Sequence, residues 1–340
     1  MITGDRILLA HGGGGRLMRE LVNEVILPRF NNPILSTLSD SAVIDLKPAA
    51  ERIAFTTDSF VVQPLFFPGG DVGRLAICGT VNDLAAAGAA PEWISLALIM
   101  EEGLLISDLE RIMDSAAAAA REAGVQVVAG DTKVVEKGAA DGLYINTAGI
   151  GRLMTAYPLA PKDMKPGDKI IVSGRLGDHG IAVVSRRTGI AFETTVESDV
   201  APLNGLVAGA IESAGGGIRC MRDPTRGGLA AVLNEFAQDA ALAITLEEAS
   251  LPVSGAVRGA CRLLGYDVLS VANEGKMVFA CSPDRADRLL QALRAHPLGK
   301  EAAIIGEVGP KPPGRVLLHT SVGGTRFVDM PYGEQLPRIC

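Results

Sequence analysis

Strand-like and helix-like segments alternate along this sequence, and prolines between residues 158 and 166 interrupt the alternation once. Apolar segments of strand type, such as 93–100, alternate with segments of helical spacing before the prolines, and the alternation resumes at 169–173. At 340 residues the chain also exceeds what one hydrophobic core usually supports. The sequence therefore predicts two mixed α and β domains and a tail that we expect to be mobile: residues 1–155, 156–329 and 330–340.

The clearest predicted helix covers residues 107–123. Its interior is rich in alanine, Ser107 and Glu110 match the S-x-x-E pattern of a capping box, and Gly124 stands where a C-terminal glycine belongs. We therefore expect this helix to begin at Ser107 and to end before Gly124.

Composition and charge limit the classes of partner. Apolar residues make up 48% of the chain, charged residues 21%, and the net charge is −7. A negative chain does not provide the broad basic surface that nucleic acid or an anionic membrane attracts. No signal peptide is recognisable and no apolar run approaches the ~20 residues that span a bilayer. We expect a soluble cytoplasmic protein that binds neither nucleic acid nor membrane.

The five cysteines are widely spaced and include no C-x-x-C pair, so the sequence suggests neither a disulfide framework nor a zinc site. Cys78, Cys261 and Cys281 lie among apolar neighbours, where a free cysteine behaves as a small hydrophobic residue. Cys340 is the last residue of the sequence, on a tail that could reach about 35 Å when extended. A thiol in that place could carry an acyl-type group as a swinging arm.

Four aspartates follow strand-like segments or stand beside small residues: Asp40, Asp58, Asp83 and Asp131. We expect Asp58 and Asp131 to close strands at 52–57 and 125–129. Mg²⁺ prefers carboxylate oxygens, with phosphate and water completing its shell, so four converging aspartates would suit a metal-bound triphosphate. Taken singly, each aspartate is more often a cap or a turn former. Lys133 shares a strand face with Asp131, and its alternative is an ordinary surface lysine.

Glycine-rich loops are the other candidate phosphate contacts. The run Gly12, Gly13, Gly14 and Gly15 lacks the Walker A and G-x-G-x-x-G spacings, so it either folds over phosphates or forms a flexible leader. Segments 174–180 and 223–228 each join a strand to a helix, a geometry that suits an anion or simply a tight turn with a cap. His179 is either a base or a residue that makes a loop hydrogen bond, and we rank the loop role first. We expect Glu274 to be a general base if buried and otherwise a turn residue.

The chain resembles, from end to end, the HypE family of hydrogenase maturation proteins, the carbamoyl dehydratases. That family lies in the ATP-binding superfamily of aminoimidazole ribonucleotide synthetase and selenophosphate synthetase. The resemblance rests on eight segments: 12–15, 57–59, 79–84, 129–133, 177–180, 223–228, 272–275 and 337–340. It implies a two-domain PurM-like α+β architecture, with an N-terminal mixed sheet that pairs in a homodimer, a C-terminal α/β sandwich and a flexible tail.

The resemblance also implies ligands and site residues. ATP and Mg²⁺ would be bound by three glycines, four aspartates and one asparagine. The aspartates would be the metal ligands, and Cys340, Glu274 and Lys133 would be catalytic. The nucleotide-binding set is Gly12, Gly13, Gly14, Asp40, Asp58, Asn82, Asp83 and Asp131.

In this family the partner HypF would load a carbamoyl group onto Cys340. ATP would then phosphorylate the carbamoyl oxygen, and loss of phosphate would leave a thiocyanate. The cyanide would pass to iron held by HypC and HypD, for the [NiFe] hydrogenase centre.

Two alternatives share parts of the pattern. One is another ATP-dependent phosphotransferase of the superfamily, of the selenophosphate synthetase or thiamine phosphate kinase type, acting on a free small molecule. The other is a binding module that uses the tail as a docking motif without turnover. Cys340 argues against the first alternative, and the set of carboxylates argues against the second.

Overall fold

The computed structural model of the protein describes residues 15–21, 23, 42–45, 52–188, 196–333, 336 and 338–340. These residues form α-helices and β-strands in two domains. The helices are α1 Arg16–Leu21, α2 Val72–Ala86, α3 Ile106–Ala123, α4 Asp178–Thr188, α5 Asn204–Ala214, α6 Gly228–Ala240, α7 Gly255–Leu264 and α8 Pro283–Ala295. The strands are β1 Ala42–Asp45, β2 Arg52–Phe60, β3 Phe66–Phe67, β4 Gly70–Asp71, β5 Ala89–Glu101, β6 Gln126–Val135, β7 Leu143–Leu153, β8 Lys169–Val172, β9 Ile218–Arg222, β10 Ala243–Glu247, β11 Val278–Cys281, β12 Ala303–Gly309, β13 Arg315–His319 and β14 Thr325–Val328.

The N-terminal domain contains a mixed sheet in the order β1-β2-β7-β5-β6. Its neighbouring strands are antiparallel except for the parallel pair β5 and β6. Strand β2 shows why one face is covered: Ala54, Thr56 and Phe60 are buried, while Phe55 and Thr57 between them are exposed. A period of two places the first set against α2 and leaves the second set on an open face.

Helices α2 and α3 pack together on the covered face. Their contact requires a glycine, because a Cβ on Gly73 would lie 2.2 Å from the carbonyl oxygen of Ile112. Gly124 ends α3 in the left-handed conformation at φ 72°, as predicted. The predicted capping box is wrong: α3 begins at Ile106 and Leu105 occupies the N-cap position without a side-chain cap. Ser107 already has helical backbone, so it does not take the extended conformation of a capping residue.

Two strands continue past the residues that were expected to end them. Asp58 pairs with Thr147 inside the β2–β7 ladder, and Asp131 pairs with Ala97 inside the β5–β6 ladder. These predicted ends were wrong because the apolar pattern stops before the backbone pairing does. A strand continues for as long as a neighbour supplies hydrogen-bond partners.

The C-terminal domain has a sheet in the order β14-β13-β10-β12-β8-β11-β9, with helices on both faces. Strand β8 shows the two cores: Ile170 and Val172 pack with α6, whereas Ile171 packs with α5 and α8. Because both faces are covered, such strands are apolar throughout instead of alternating. The two-domain α+β architecture is therefore confirmed.

The tail returns to the boundary between the domains. Leu336 and Ile339 are buried in the same apolar cluster as residues of α2 and α4, so the described part of the tail is docked. Its mobility stays a prediction. Among the helices that the structure describes, none combines the length and apolar composition that a membrane crossing requires.

Two isoleucines of α3 test this packing. Ile112 is fully buried, and replacing it with alanine should lower the free energy of unfolding by about 2–4 kcal/mol, because methyl groups are lost and a cavity remains. Ile106 is 75% exposed in the same helix, and Ile106→Ala should change that free energy by less than about 0.5 kcal/mol. Urea unfolding followed by circular dichroism measures both, and equal losses would contradict this packing.

Candidate active site

A cavity of about 220 Å³ lies where the two domains and the tail meet. The N-terminal domain contributes residues of β2 and α2, the C-terminal domain contributes two loops, and the tail contributes its last residue. Its lining residues are Thr57, Asp58, Phe60, Gly79, Asp83, Asp223, Thr225, Arg226, Glu274 and Cys340.

The N-terminal wall brings Asp58 and Asp83 together. Asp58 lies on the face of β2 that α2 covers. Gly79 of α2 leaves room for the neighbouring ring of Phe60, because a Cβ there would lie 2.8 Å from that ring, and the same Cβ would lie 3.9 Å from Asp58 Oδ2. Asp83 follows Gly79 by four residues and so lies on the same face of α2. The hydroxyl of Thr56 donates to Asp83 Oδ2 at 2.9 Å, which orients that carboxylate.

Asn273 joins the loops of the C-terminal wall. Its side chain is fully buried, accepts from the backbone N–H of Gly177 at 2.7 Å and donates to the carbonyl of Pro224 at 3.0 Å. The two loops expected to face an anion, 174–180 and 223–228, are therefore joined through one amide. The next residue along the chain is Glu274.

The backbone of Glu274 is held from three sides. Its N–H donates to Asp199 Oδ1 at 3.1 Å, and its carbonyl accepts from Asn82 Nδ2 at 3.2 Å. The following residue, Gly275, lies so close to the carbonyl of Asp199 that a Cβ would be 1.7 Å from that oxygen. Lys276 pairs with Asp199 at 3.1 Å, so the carboxylate that orders this loop is itself neutralised.

The side chain of Glu274 is 3% exposed, and its Oε1 has no hydrogen-bond partner among the described residues. Burial raises the pKa of Glu274 well above its usual range, and the nearby carboxylates of Asp223, Asp199 and Asp58 raise it further. A raised pKa means that the carboxylate, once formed, binds a proton more tightly, which strengthens it as a general base.

Arg226 places a cation in this acidic cavity. Negative charge on Cys340 raises the pKa of the Arg226 guanidinium, and Asp58 adds to the shift. Burial raises the pKa of the half-buried Asp58, and Arg226 opposes this effect. The guanidinium therefore lies within electrostatic reach of both the tail thiol and an aspartate. Sequence reasoning named segment 223–228 but did not select Arg226 or Asp223, although both lie in that motif.

The described tail residues dock mainly through main-chain groups. The N–H of Val61 donates to the carbonyl of Cys340 at 3.2 Å, and the N–H of Gln63 donates to the carbonyl of Arg338 at 3.2 Å. Arg187 donates to the same Arg338 carbonyl at 2.7 Å. The Arg338 side chain forms an ion pair with Asp141.

The structure does not bring Asp131 and Lys133 into this cavity. They form an exposed ion pair, 3.1 Å apart, and Lys133 lowers the pKa of Asp131. Asp131 lies in one row with Ala97, Asn146 and Ser59, on the open face of the sheet and three strands from β2. That separation is about 14 Å.

Other predicted nucleotide contacts have different positions. The amide of Asn82 is buried and bonds to the backbone of Ala201, Leu203 and Glu274, so it holds the two domains together. Asp40 and the glycines 12–14 lie outside the described residues. His179 was expected in a loop, but it lies in the first turn of α4 and is fully buried. It differs from a loop residue because α4 begins at Asp178, inside the glycine-rich turn.

The other cysteines are buried as expected. Cys78, Cys220, Cys261 and Cys281 are free thiols in the apolar cores, and burial raises the pKa of Cys261 to about 11. A thiol in such surroundings stays protonated at neutral pH. Cys340, which is only partly buried and lines the cavity, is placed for chemistry.

Comparison with known proteins agrees with this geometry. The family described as AIR synthase related protein matches twice, with its N-terminal domain over residues 38–153 and its C-terminal domain over residues 165–319. Carbamoyl dehydratase HypE of Bradyrhizobium diazoefficiens is 51% identical over 98% of this chain and 95% of its own length. The chain belongs to the HypE family of carbamoyl dehydratases.

Solved structures of the HypE family have the same fold. A crystal structure of a HypE–HypF complex matches at TM-score 0.86 and 46% identity, over 92% of this chain and 99% of that one. A HypE structure in complex with ATP matches at TM-score 0.83 and 44% identity, over 98% and 100%. Thiamine monophosphate kinase of Aquifex aeolicus, at 19% identity and TM-score 0.66, covers 89% of this chain and 97% of its own and shares the fold alone.

The donor groups of the cavity fit the divalent cation expected for the HypE family. Asp58 and Asp83 are oxygen donors in one cavity, which suits Mg²⁺ when phosphate oxygens complete its shell. No three His, Cys, Asp or Glu side chains form a metal-binding group in the part of the chain that the structure describes.

Burial of Glu274 should make the stability of this HypE-family protein depend on pH. The folded protein keeps a proton that the unfolded chain loses above about pH 4.3, so the free energy of unfolding falls as pH rises from there towards the raised pKa of Glu274. Glu274→Gln removes this penalty. The variant should therefore melt at a higher temperature than the wild type at pH 8, and the two should converge near pH 4.

Thermal unfolding across this range measures the effect, with Glu110→Gln as the control because Glu110 is exposed on α3. A constant difference between the Glu274 variant and the wild type at all pH values would contradict the shift.

Proposed function

We propose that this chain uses ATP to dehydrate a carbamoyl group on the sulfur of Cys340 to a thiocyanate. The thiocyanate would supply the cyanide ligands of a [NiFe] hydrogenase iron centre. One observation carries the proposal: the tail places Cys340 in the same cavity as Glu274, Arg226 and three aspartates. An enzyme that acted on a free small molecule would have no need of its own tail there.

ATP activates the carbamoyl oxygen so that it can leave. The γ-phosphoryl group is transferred to the carbamoyl oxygen, which turns a poor leaving group into phosphate, and ADP leaves. The carbamoyl nitrogen loses one proton as the C=N bond forms and the other as phosphate departs. The products are a thiocyanate on Cys340, ADP and phosphate.

Glu274 is the base that this reaction needs. Its buried carboxyl group lines the cavity next to Cys340, and its raised pKa lets it hold a proton taken from the carbamoyl nitrogen. The contacts of Asp199 and Asn82 to its backbone fix the loop, so the carboxyl group does not have to be ordered during the reaction.

Arg226 would stabilise negative charge on the transferring phosphoryl group. A guanidinium presents several donors in a fixed plane, which suits phosphate oxygens. Asp58 and Asp83 would hold Mg²⁺, and the ion would neutralise the charge of the ATP phosphates. The glycines 12–14, Asp40 and Asn82 stay proposed contacts of the nucleotide site.

The open face of the N-terminal sheet supports a homodimer. Phe55 and Trp93 flank Ile150 in one row on that face, and their exposed fractions are 40% and 39%. The edge strand β6 is exposed over nearly its whole length, and no described element covers it. A second copy that paired here would bury this apolar row and would bring Asp131 and Lys133 to an interface, where Lys133 could act as the second proposed base.

One solved relative suggests the first partner of this chain. One HypE structure is a complex with HypF, so we infer that a HypF protein loads Cys340 of this chain. The cyano group would pass to the iron carried by HypC and HypD. The S–C bond would break with Cys340 leaving as the thiolate, and the iron complex would supply the two electrons that make the group a cyanide ligand. All these steps would take place in the cytoplasm.

Intact mass spectrometry tests the reaction. The wild type, incubated with a HypF protein, carbamoyl phosphate and ATP, should gain one carbamoyl group and then lose one water when MgATP is present. Cys340→Ala should gain nothing, because the carrier sulfur is absent. Glu274→Gln should be loaded but should lose water at least about 100-fold more slowly, as removal of a general base predicts.

Cys261→Ala is the matched control, since it removes a different thiol and keeps the tail. Loading of the Cys340 variant, or failure of the Cys261 variant alone, would overturn the assignment of the carrier.

The dimer is tested separately. Trp93→Glu places a charge in the exposed apolar row and should shift the protein to a monomer in analytical ultracentrifugation, because an unpaired charge is costly in a buried interface. Leu263→Glu is the control, as Leu263 is 71% exposed on α7 of the other domain. A monomeric wild type would exclude the proposed dimer.

A further inference from the structure

A buried histidine holds the last peptide unit of the tail. His179 is fully buried in α4, and its Nε2 lies 2.8 Å from the carbonyl oxygen of Ile339, the residue before Cys340. A carbonyl oxygen can only accept a hydrogen bond, so Nε2 must carry the proton. The other ring nitrogen, Nδ1, lies 2.8 Å from the hydroxyl of Ser198.

The hydrogen bonds around this ring run in one direction. Burial lowers the pKa of His179, which keeps the ring neutral, so Nδ1 accepts the proton of the Ser198 hydroxyl. Ser198 Oγ in turn accepts from the N–H of Val200 at 3.1 Å. The edge of the ring packs against Phe67 at 5.3 Å between centroids. Tautomer and orientation are thus both fixed towards the tail.

The position of the bond explains what it can do. Ile339 is 4% exposed, and its carbonyl directly precedes Cys340, so a fixed Ile339 carbonyl restricts where the thiol points. Val61 and Gln63 also bond to the tail, but they use backbone N–H groups at the exit of β2. His179 therefore adds a side-chain contact that comes from the C-terminal domain.

We propose that His179 is a positioning residue that holds Cys340 in the cavity for dehydration, and that its bond to Ile339 breaks when the tail leaves to be loaded. This inference rests on the proposed function. It predicts opposite effects on the two half-reactions, because one needs the tail docked and the other needs it released.

Two variants of the full-length protein test this role. His179→Leu removes the donor, and His179→Gln retains an amide N–H near the place of Nε2. With the leucine variant, alkylation of Cys340 by iodoacetamide should be about 5–10-fold faster, as the loss of one buried hydrogen bond predicts. Single-turnover loss of water from the carbamoylated protein should slow by a similar factor, while loading by HypF should not slow. The glutamine variant should lie closer to the wild type in both assays.

The remaining cysteines are buried, so alkylation reports on Cys340. His319→Leu is the control, because His319 lies on β13 and bonds to the exposed Glu247. Unchanged alkylation, or loading and dehydration reduced by the same factor, would overturn the proposal.

If the leucine variant does not fold, Ser198→Ala tests the same tautomer with a smaller expected rise in alkylation, and an unchanged rate would overturn the proposal. A wild type that neither loads nor dehydrates would contradict the proposed function. The alkylation rates would still show whether His179 holds Cys340 in the cavity.

Discussion

The amide of Asn82 is the contact on which the candidate site depends. It projects from α2 of the N-terminal domain and bonds to the backbone at Ala201, Leu203 and Glu274 of the C-terminal domain. All three bonds are buried, where an unmade hydrogen bond is expensive, so the two domains are held in one orientation. That orientation creates the cavity between them. Asn82, which was expected to bind nucleotide, is thus the residue that places Glu274 opposite the aspartates of the other domain.

The second constraint is electrostatic. Glu274, Asp223 and Asp58 share one cavity, and these carboxyl groups repel one another when charged. The positive charge of Arg226 offsets part of that repulsion. Asp199 pairs with Lys276 and accepts from two backbone N–H groups, so its charge is largely compensated while it orders the loop, although it still raises the pKa of Glu274. Arg226 faces the cavity itself. The protein therefore loses stability at Glu274, because the proposed chemistry needs a buried carboxyl group with a raised pKa. Asp199, by contrast, is paired.

Much of this arrangement could be predicted from the sequence. The alternation of patterns gave two α+β domains, and Asp58, Asp83, Glu274 and Cys340 were all selected before the structure placed them in one cavity. Asp131 was grouped with them because it also follows a strand-like segment. Which face of a sheet a residue occupies depends on the pairing register, and the sequence does not show that two other strands, β7 and β5, separate β2 from β6. Arg226 was missed for a similar reason, since only the folded tail shows that it faces a thiol.

The way the tail docks has a consequence for its affinity. Its described hydrogen bonds are made largely to its own carbonyls, at Arg338, Ile339 and Cys340, so docking does not depend on what the sulfur carries. A tethered segment also meets its site at a high effective concentration, commonly in the millimolar range for short linkers. Individually weak contacts are then enough to seat it. In the proposed cycle, such contacts would also let the tail leave, so that one cavity could receive it before and after its cargo changes.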